Sequence, residues 1–249
     1  MARIETMNYD FPGMRQDGSI YVDKTQVMYD LIVSAPTVGL YFISRPRRFG
    51  KSLMISTLDS IFRGRKELFE GLAIAKTDYD WPVHPILRFD FSPISTVSLE
   101  TFRQDFRSAV LTKLQEAGAT IHPEETTGTN FGLALKELYE KTGHRVVVLV
   151  DEYDAPIGHA LHKLELAEAI RDEMRAFYIH LKANVDKLRF LMMTGVSKFS
   201  QVSVFSALNN IKDLTLDART ATMLGYTDEE LDHYFHEPME AHAKVMGLD

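Results

Sequence analysis

The 249-residue chain contains no cysteine. That one absence removes disulfides, thiolate metal sites and cysteine nucleophiles together, and an intracellular setting is the simplest one for it. No apolar run approaches the ~20 residues that a bilayer span needs. The first residues, MARIETMNYDFPGM, carry acids and lack the apolar core of a signal peptide. A cytoplasmic protein without membrane contact is the expectation. Excess positive charge is missing as well: 28 Lys and Arg against 35 Asp and Glu leave a net charge of −7. No global pull toward nucleic acid or an anionic membrane follows, so any such contact must be local. Repeats, low-complexity tracts and Pro/Ser-rich linkers are also absent. What remains, 45% hydrophobic and 25% charged residues, is ordinary for a folded globular chain and argues against long disorder.

Short apolar runs alternate with helical periods along the chain. Asp23 is placed to cap a helix through VMYDLIVS, and Val38 to Ser44 (VGLYFIS) reads as a buried strand. A helix resumes with Leu53, Met54, Leu58 and Ile61 on one face. Pro85 to Ser92 reads as a second strand. Ser98 opens a helix bearing Phe102, Phe106, Val110 and Leu114, and Thr129 to Thr142 forms another. The most apolar strand starts at Arg145 (RVVVLVDEY). It is followed by a helix from about Leu164 to Val185, a strand from Arg189 (RFLMMTGV) and a short strand from Asp213 (DLTLD). Strands apolar on both faces and alternating with helices imply a mainly parallel sheet covered on both sides, an α/β fold of three layers. Thr227 to Glu230 (TDEE) has the form of a capping box, which predicts a helix toward Met246. The expected organisation is a domain over 1–225 and the start of a C-terminal helical lid over 226–249.

Chemistry concentrates at two strand exits. SRPRRFGKS, from Ser44 to Ser52, approaches the phosphate-loop pattern G-x-x-x-x-G-K-[ST], except that Arg45 stands where the first glycine belongs. Phosphates need backbone N–H groups, a helix N-terminus and a lysine, and Gly50, Lys51 and Ser52 sit where a strand gives way to a helix. A GK[ST] tripeptide alone is a weak signal. Its weight comes from that context and from a second site, VVVLVDEYD, in which five aliphatic residues lead into Asp151 and Glu152. In this form, that of Walker B, the aspartate holds magnesium and the next carboxylate polarises the attacking water. Ligands gather at this edge of open α/β sheets. A third strand exit carries Thr194, Ser197 and Lys198, polar groups that could meet a γ-phosphate or make an ordinary turn. His159 with His162, and His233 with His236, have i, i+3 spacing without a third ligand, so they read as ordinary histidines.

With YVDKT (Tyr21 to Thr25), SRPRRFGKSL, FDFS (Phe89 to Ser92), VVLVDEYDAP, TGVSKFSQVSVFSALNN (Thr194 to Asn210) and LGYTDEEL, the chain resembles the AAA-ATPase-like family, P-loop NTPases of the additional-strand class. The family's loop commonly reads RPRRFGKS. The resemblance implies Mg²⁺-dependent ATP binding and ATP hydrolysis, with nucleotide state coupled to a partner domain or subunit. It implies that Arg45, Pro46, Arg47, Arg48, Phe49, Gly50, Lys51, Ser52 and Leu53 surround the nucleotide, with Lys51 on the β- and γ-phosphates. Ser52 and Asp151 would hold Mg²⁺, and Glu152 would activate water. Thr194, Ser197 and Lys198 would take the sensor position, and Arg219 would reach phosphate from within the chain or from a neighbour. Arg45, Arg47 and Arg48 could offset triphosphate charge or form a solvated basic face. Tyr21 and Asp23 lie where a base could be contacted. Family members often continue into a PD-(D/E)xK nuclease, but no lysine in this span has Asp or Glu two residues upstream. A nucleotide switch that does not hydrolyse, and a module that binds the phosphate backbone of nucleic acid, are the alternatives.

Overall fold

A strand with apolar residues at both phases of its two-residue repeat must be covered on both faces. The computed structural model, which describes residues 9–197 and 210–246, places four such strands and one two-residue strand in a single sheet. They are β1 (Gly39–Ser44), β2 (Ile86–Asp90), β3 (Val146–Asp151), β4 (Leu188–Gly195) and β5 (Lys212–Asp213). All pair in parallel, in the order β2-β3-β4-β1-β5. β4 therefore stands between β1 and β3, the additional strand of the class.

Alternate residues of the four longer strands feed two separate cores. Leu40, Phe42, Val148, Val150, Leu191 and Met193 join one core. It is completed by α4 (Leu99–Glu116), α5 (Thr127–Thr142), α6 (Ala155–Ala160) and α7 (Leu164–Ala183). Tyr41, Ile43, Val147, Leu149 and Met192 join the other, against α1 (Phe11–Gln16), α2 (Thr25–Val33) and α3 (Lys51–Phe62). From β1 the chain crosses to the far edge, returns through β2, β3 and β4, and then pairs β5 on the other side of β1. Paths leaving neighbouring strands in opposite directions open a crevice beyond their C-terminal ends, where the charged motifs lie.

Local signals account for most boundaries. Ser98 accepts a hydrogen bond from the Thr101 amide at the start of α4. α5 begins at Thr127 rather than Thr129, because Thr126 is the capping residue, and it ends on Gly143 with φ +68°. The helix predicted from Leu164 to Val185 runs to Ala183. Asp23 is not the N-cap of α2; Lys24 occupies that position. Its carboxylate nevertheless holds the first turn, accepting from the Thr25 amide at 2.9 Å and hydroxyl at 2.7 Å. The strand expected over DLTLD is a correction: pairing covers Lys212 and Asp213, and the chain then turns, leaving Leu216 89% exposed. α1 and α6, each six residues long, fall below the length at which periodicity is visible. The capping box is formed reciprocally, with the Thr227 amide on Glu230 Oε2 at 2.9 Å and the Glu230 amide on Thr227 Oγ1 at 3.2 Å. It opens α8 (Asp228–Met246), which contains Pro238. Among the described residues no helix is long and apolar enough to cross a membrane.

Phe177 of α7 sits at the centre of the first core, stacked on Phe131 at 4.5 Å and edge-on to Phe106 at 5.2 Å. Removing it leaves a cavity that its ring neighbours cannot fill. Phe177→Ala is expected to lower unfolding free energy by about 3–5 kcal/mol, read from urea denaturation followed by circular dichroism.

Candidate functional site

The loop between β1 and α3 carries two left-handed residues, Arg48 at φ 66° and Gly50 at φ 90°. Glycine adopts this backbone freely, whereas an arginine there costs on the order of 1 kcal/mol or more. Gly50 is the N-cap of α3 and supplies no side-chain cap, so the first amides of a twelve-residue helix face the crevice. Such amides form a ready site for an anion.

Arg45 resolves the irregular first position of the motif. Its amide donates to the Gly195 carbonyl at 3.1 Å, and its guanidinium donates to the carbonyls of Ser44 at 3.1 Å and Thr215 at 2.6 Å. The amide thus ties the loop to β4, and the side chain ties it to the turn after β5. Carbonyls are neutral acceptors, so the positive charge of Arg45 remains beside the loop. Arg47 and Arg48 are exposed and border different cavities.

Lys51 is only 4% exposed. Its Nζ donates to the carbonyls of Arg45 at 3.0 Å and Pro46 at 3.2 Å, and lies 3.2 Å from Glu152 Oε1. The basic loop and the acidic pair therefore meet. Asp151, 5% exposed at the end of β3, accepts a hydrogen bond from the Thr194 hydroxyl. Glu152 has a left-handed backbone, φ 51°, and its amide makes a long hydrogen bond, 3.4 Å, to Thr194 Oγ1. Burial raises the Glu152 carboxyl above its ordinary range; the Lys51 ammonium opposes this, and Asp151 and Asp154 add to it.

Sequence reading passed over Asp154, although it ends the same VDEYD run. It is buried and accepts from the amides of Val196 at 3.2 Å and Ser197 at 2.8 Å, which fixes the turn after β4 against β3. Gly195 permits that closeness, since a Cβ there would lie 2.4 Å from the Tyr153 ring. Ser197 is placed by these bonds and by the Tyr153 hydroxyl, which donates to its carbonyl at 2.9 Å. Thr215, whose hydroxyl accepts from the Ser44 amide at 3.0 Å, had no local signal.

Other predicted residues are dispersed. Arg219 is not brought to the loop by its hydrogen bonds: its guanidinium donates to Asp217 at 3.0 and 2.6 Å. Lys198 lies outside the described residues. Phe49 exposes its ring and accepts from the Gly225 amide at 3.1 Å through its carbonyl. Ser52 is half-buried in the first turn of α3, and Leu53 packs against the second core. One cavity, of 640 Å³, adjoins Glu152, Asp154 and Ser197. Another, of 800 Å³, opens beside Arg48, Phe49 and Gly50 and is lined largely by apolar and aromatic side chains. Among the described residues no three His, Asp or Glu side chains converge as a metal cage. The Ser52 hydroxyl and the Asp151 carboxylate are hard oxygen donors, the type of ligand that Mg²⁺ takes.

A family model described as "Predicted AAA-ATPase" matches residues 7–205. A relative from Azotobacter chroococcum mcd 1, named "Uncharacterized protein in vnfD 5'region", is 39% identical over 220 residues, covering 88% of this chain and 42% of the relative. The chain thus spans less than half the length of that relative. No solved structure matches the chain. Nucleotide binding is the general property that the family's description carries. With the model matched across most of its length, the chain belongs to the AAA-ATPase-like family.

Proposed function

We propose that the chain binds ATP with Mg²⁺ at the Arg45 to Leu53 loop and hydrolyses it, passing nucleotide state to a partner domain or subunit. The observation that carries this reading is the 3.2 Å approach of Lys51 Nζ to Glu152 Oε1 at the C-terminal edge of the sheet, beside the open N-terminus of α3. Among the described residues the lysine's polar partners are oxygens, two carbonyls and one carboxylate, an arrangement that phosphate oxygens can replace.

On that reading the α3 amides and Lys51 receive the phosphates. Ser52 and Asp151 would hold Mg²⁺, which when bound neutralises charge on the β- and γ-phosphates. Thr194, bonded to Asp151, keeps that carboxylate in place. As Lys51 turns to phosphate, Glu152 loses its partner and becomes free to accept a proton from water attacking the γ-phosphorus in line. Arg47, which borders the cavity of Glu152, is the loop arginine on this side. The cavity of 800 Å³ beside Phe49, with its aromatic walls, suits the flat face of a nucleotide base. The acidic net charge and the closeness of Glu152 to the lysine disfavour a nucleic-acid backbone as the ligand.

Two measurements test the proposal. Lys51→Ala is expected to weaken ATP binding by about 10- to 100-fold in isothermal titration, the loss of a charge-assisted contact. Glu152→Gln is expected to retain ATP binding and to lower phosphate release by about 100-fold or more. Binding by the unaltered protein with no turnover would leave a nucleotide switch in place of an ATPase.

The acid side of the pH profile supplies a further prediction. Because burial makes Glu152 hold its proton to higher pH, the base form disappears as pH falls through a value above that of an ordinary glutamate. The acid limb of kcat/KM, which reports the free enzyme, is expected at that raised value and should vanish with the residual activity of Glu152→Gln.

A further inference from the structure

The 800 Å³ cavity is walled by three separate stretches of chain. Tyr21 and Val22 come from the segment before α2, Phe49 and Leu53 from the loop and α3, and Tyr226 and Phe235 from the segment that leads into and through the first half of α8. Among the described residues, side-chain hydrogen bonds join the α8 wall to the segment before α2 at two places. Lys24 Nζ lies 2.5 Å from both carboxylate oxygens of Glu230, and the Asp23 amide donates to the Tyr234 hydroxyl at 3.3 Å.

The backbone that carries Lys24 and the side chain of Glu230 are each held by bonds independent of the pair. On the body side, Asp23 Oδ1 holds the start of α2, and its Oδ2 accepts from the Ala73 amide at 2.7 Å. On the α8 side, Glu230 is held by the capping box with Thr227. The side chains are 10% and 22% exposed. Exposed pairs contribute little because two mobile side chains must be ordered in water. Here Glu230 is already ordered by the capping box and both side chains are mostly out of water, so removing one leaves the other desolvated without its charge partner.

We propose that the Lys24–Glu230 ion pair is a latch that holds α8 over this cavity and sets how long a nucleotide stays bound, an inference that rests on the nucleotide reading above. Glu230 is a positioning residue that acts on the wall of the cavity through α8, whereas Lys24 also borders the cavity itself.

Glu230→Gln and Lys24→Met each remove the charge pair, and glutamine at this place preserves the capping box. Lys24→Arg keeps the pair. Release of ADP carrying a ribose fluorophore, followed by stopped flow, is expected to be about tenfold faster or more in the first two variants, with little change in association rate. It should stay near the unaltered rate in Lys24→Arg. Hydrogen exchange of the α8 amides in nucleotide-free protein should accelerate in the same two variants and not in Lys24→Arg. Far-UV circular dichroism checks that each variant is folded. Unchanged release and unchanged exchange in both Lys24→Met and Glu230→Gln would overturn the latch. Unaltered protein that binds no labelled ADP would overturn the nucleotide reading and with it the control of residence time, whereas accelerated exchange would still locate the fastening of α8.

Discussion

A lysine at the head of α3 and a glutamate beyond β3 meet over the end of β4, and the organisation of the molecule follows from keeping them there. Neighbouring strands lie about 4.8 Å apart, so the exits of β1 and β3, separated by one strand, are about 10 Å apart. One extended lysine bridges that interval with help from the carbonyls of Arg45 and Pro46. The strand between them contributes Thr194, which touches both members of the acidic pair through its hydroxyl. Had β1 and β3 been separated by two strands, a direct contact between these side chains would be out of reach.

Holding charged groups in so dry a place requires a stiff surround. The two cores supply it from opposite faces, and Asp154 and Gly195 supply it at the edge, where the turn after β4 presses against the Tyr153 ring. Arg45 belongs to the same surround. A glycine in its place would free the loop's backbone, whereas the guanidinium joins it to the Thr215 carbonyl and the amide joins it to β4. The loop thus exchanges conformational freedom for fixed attachment. Its left-handed turns are displaced to Arg48 and Gly50.

The parts of this arrangement that were legible in the sequence are those written in adjacent residues. The loop that leads to Lys51 follows a buried strand directly, and Asp151 ends another with Glu152 just beyond it, so each motif could be assigned to a strand exit without knowledge of the fold. Thr227 and Glu230 signalled their helix because a capping box is complete within four residues. Contacts between distant segments leave no such trace. Lys24 and Glu230 are 206 positions apart, and Arg45 and Thr215 are 170 apart. The alternation of DLTLD promised a longer strand than forms, because Thr215 turns back to bond Ser44 and ends the pairing after Asp213. Short α1 was hidden by its Pro and Gly, although Phe11 within it packs on Tyr21 and Phe69.

Pro238 within α8 adds a mechanical consequence. Proline has no N–H to offer the carbonyl four positions back, which is that of Tyr234, the residue whose hydroxyl accepts from Asp23. The helix is therefore weakest one turn beyond its attachment to the body. The gap in the hydrogen-bond ladder thus falls between the half that carries Glu230 and Tyr234 and the half that follows Pro238.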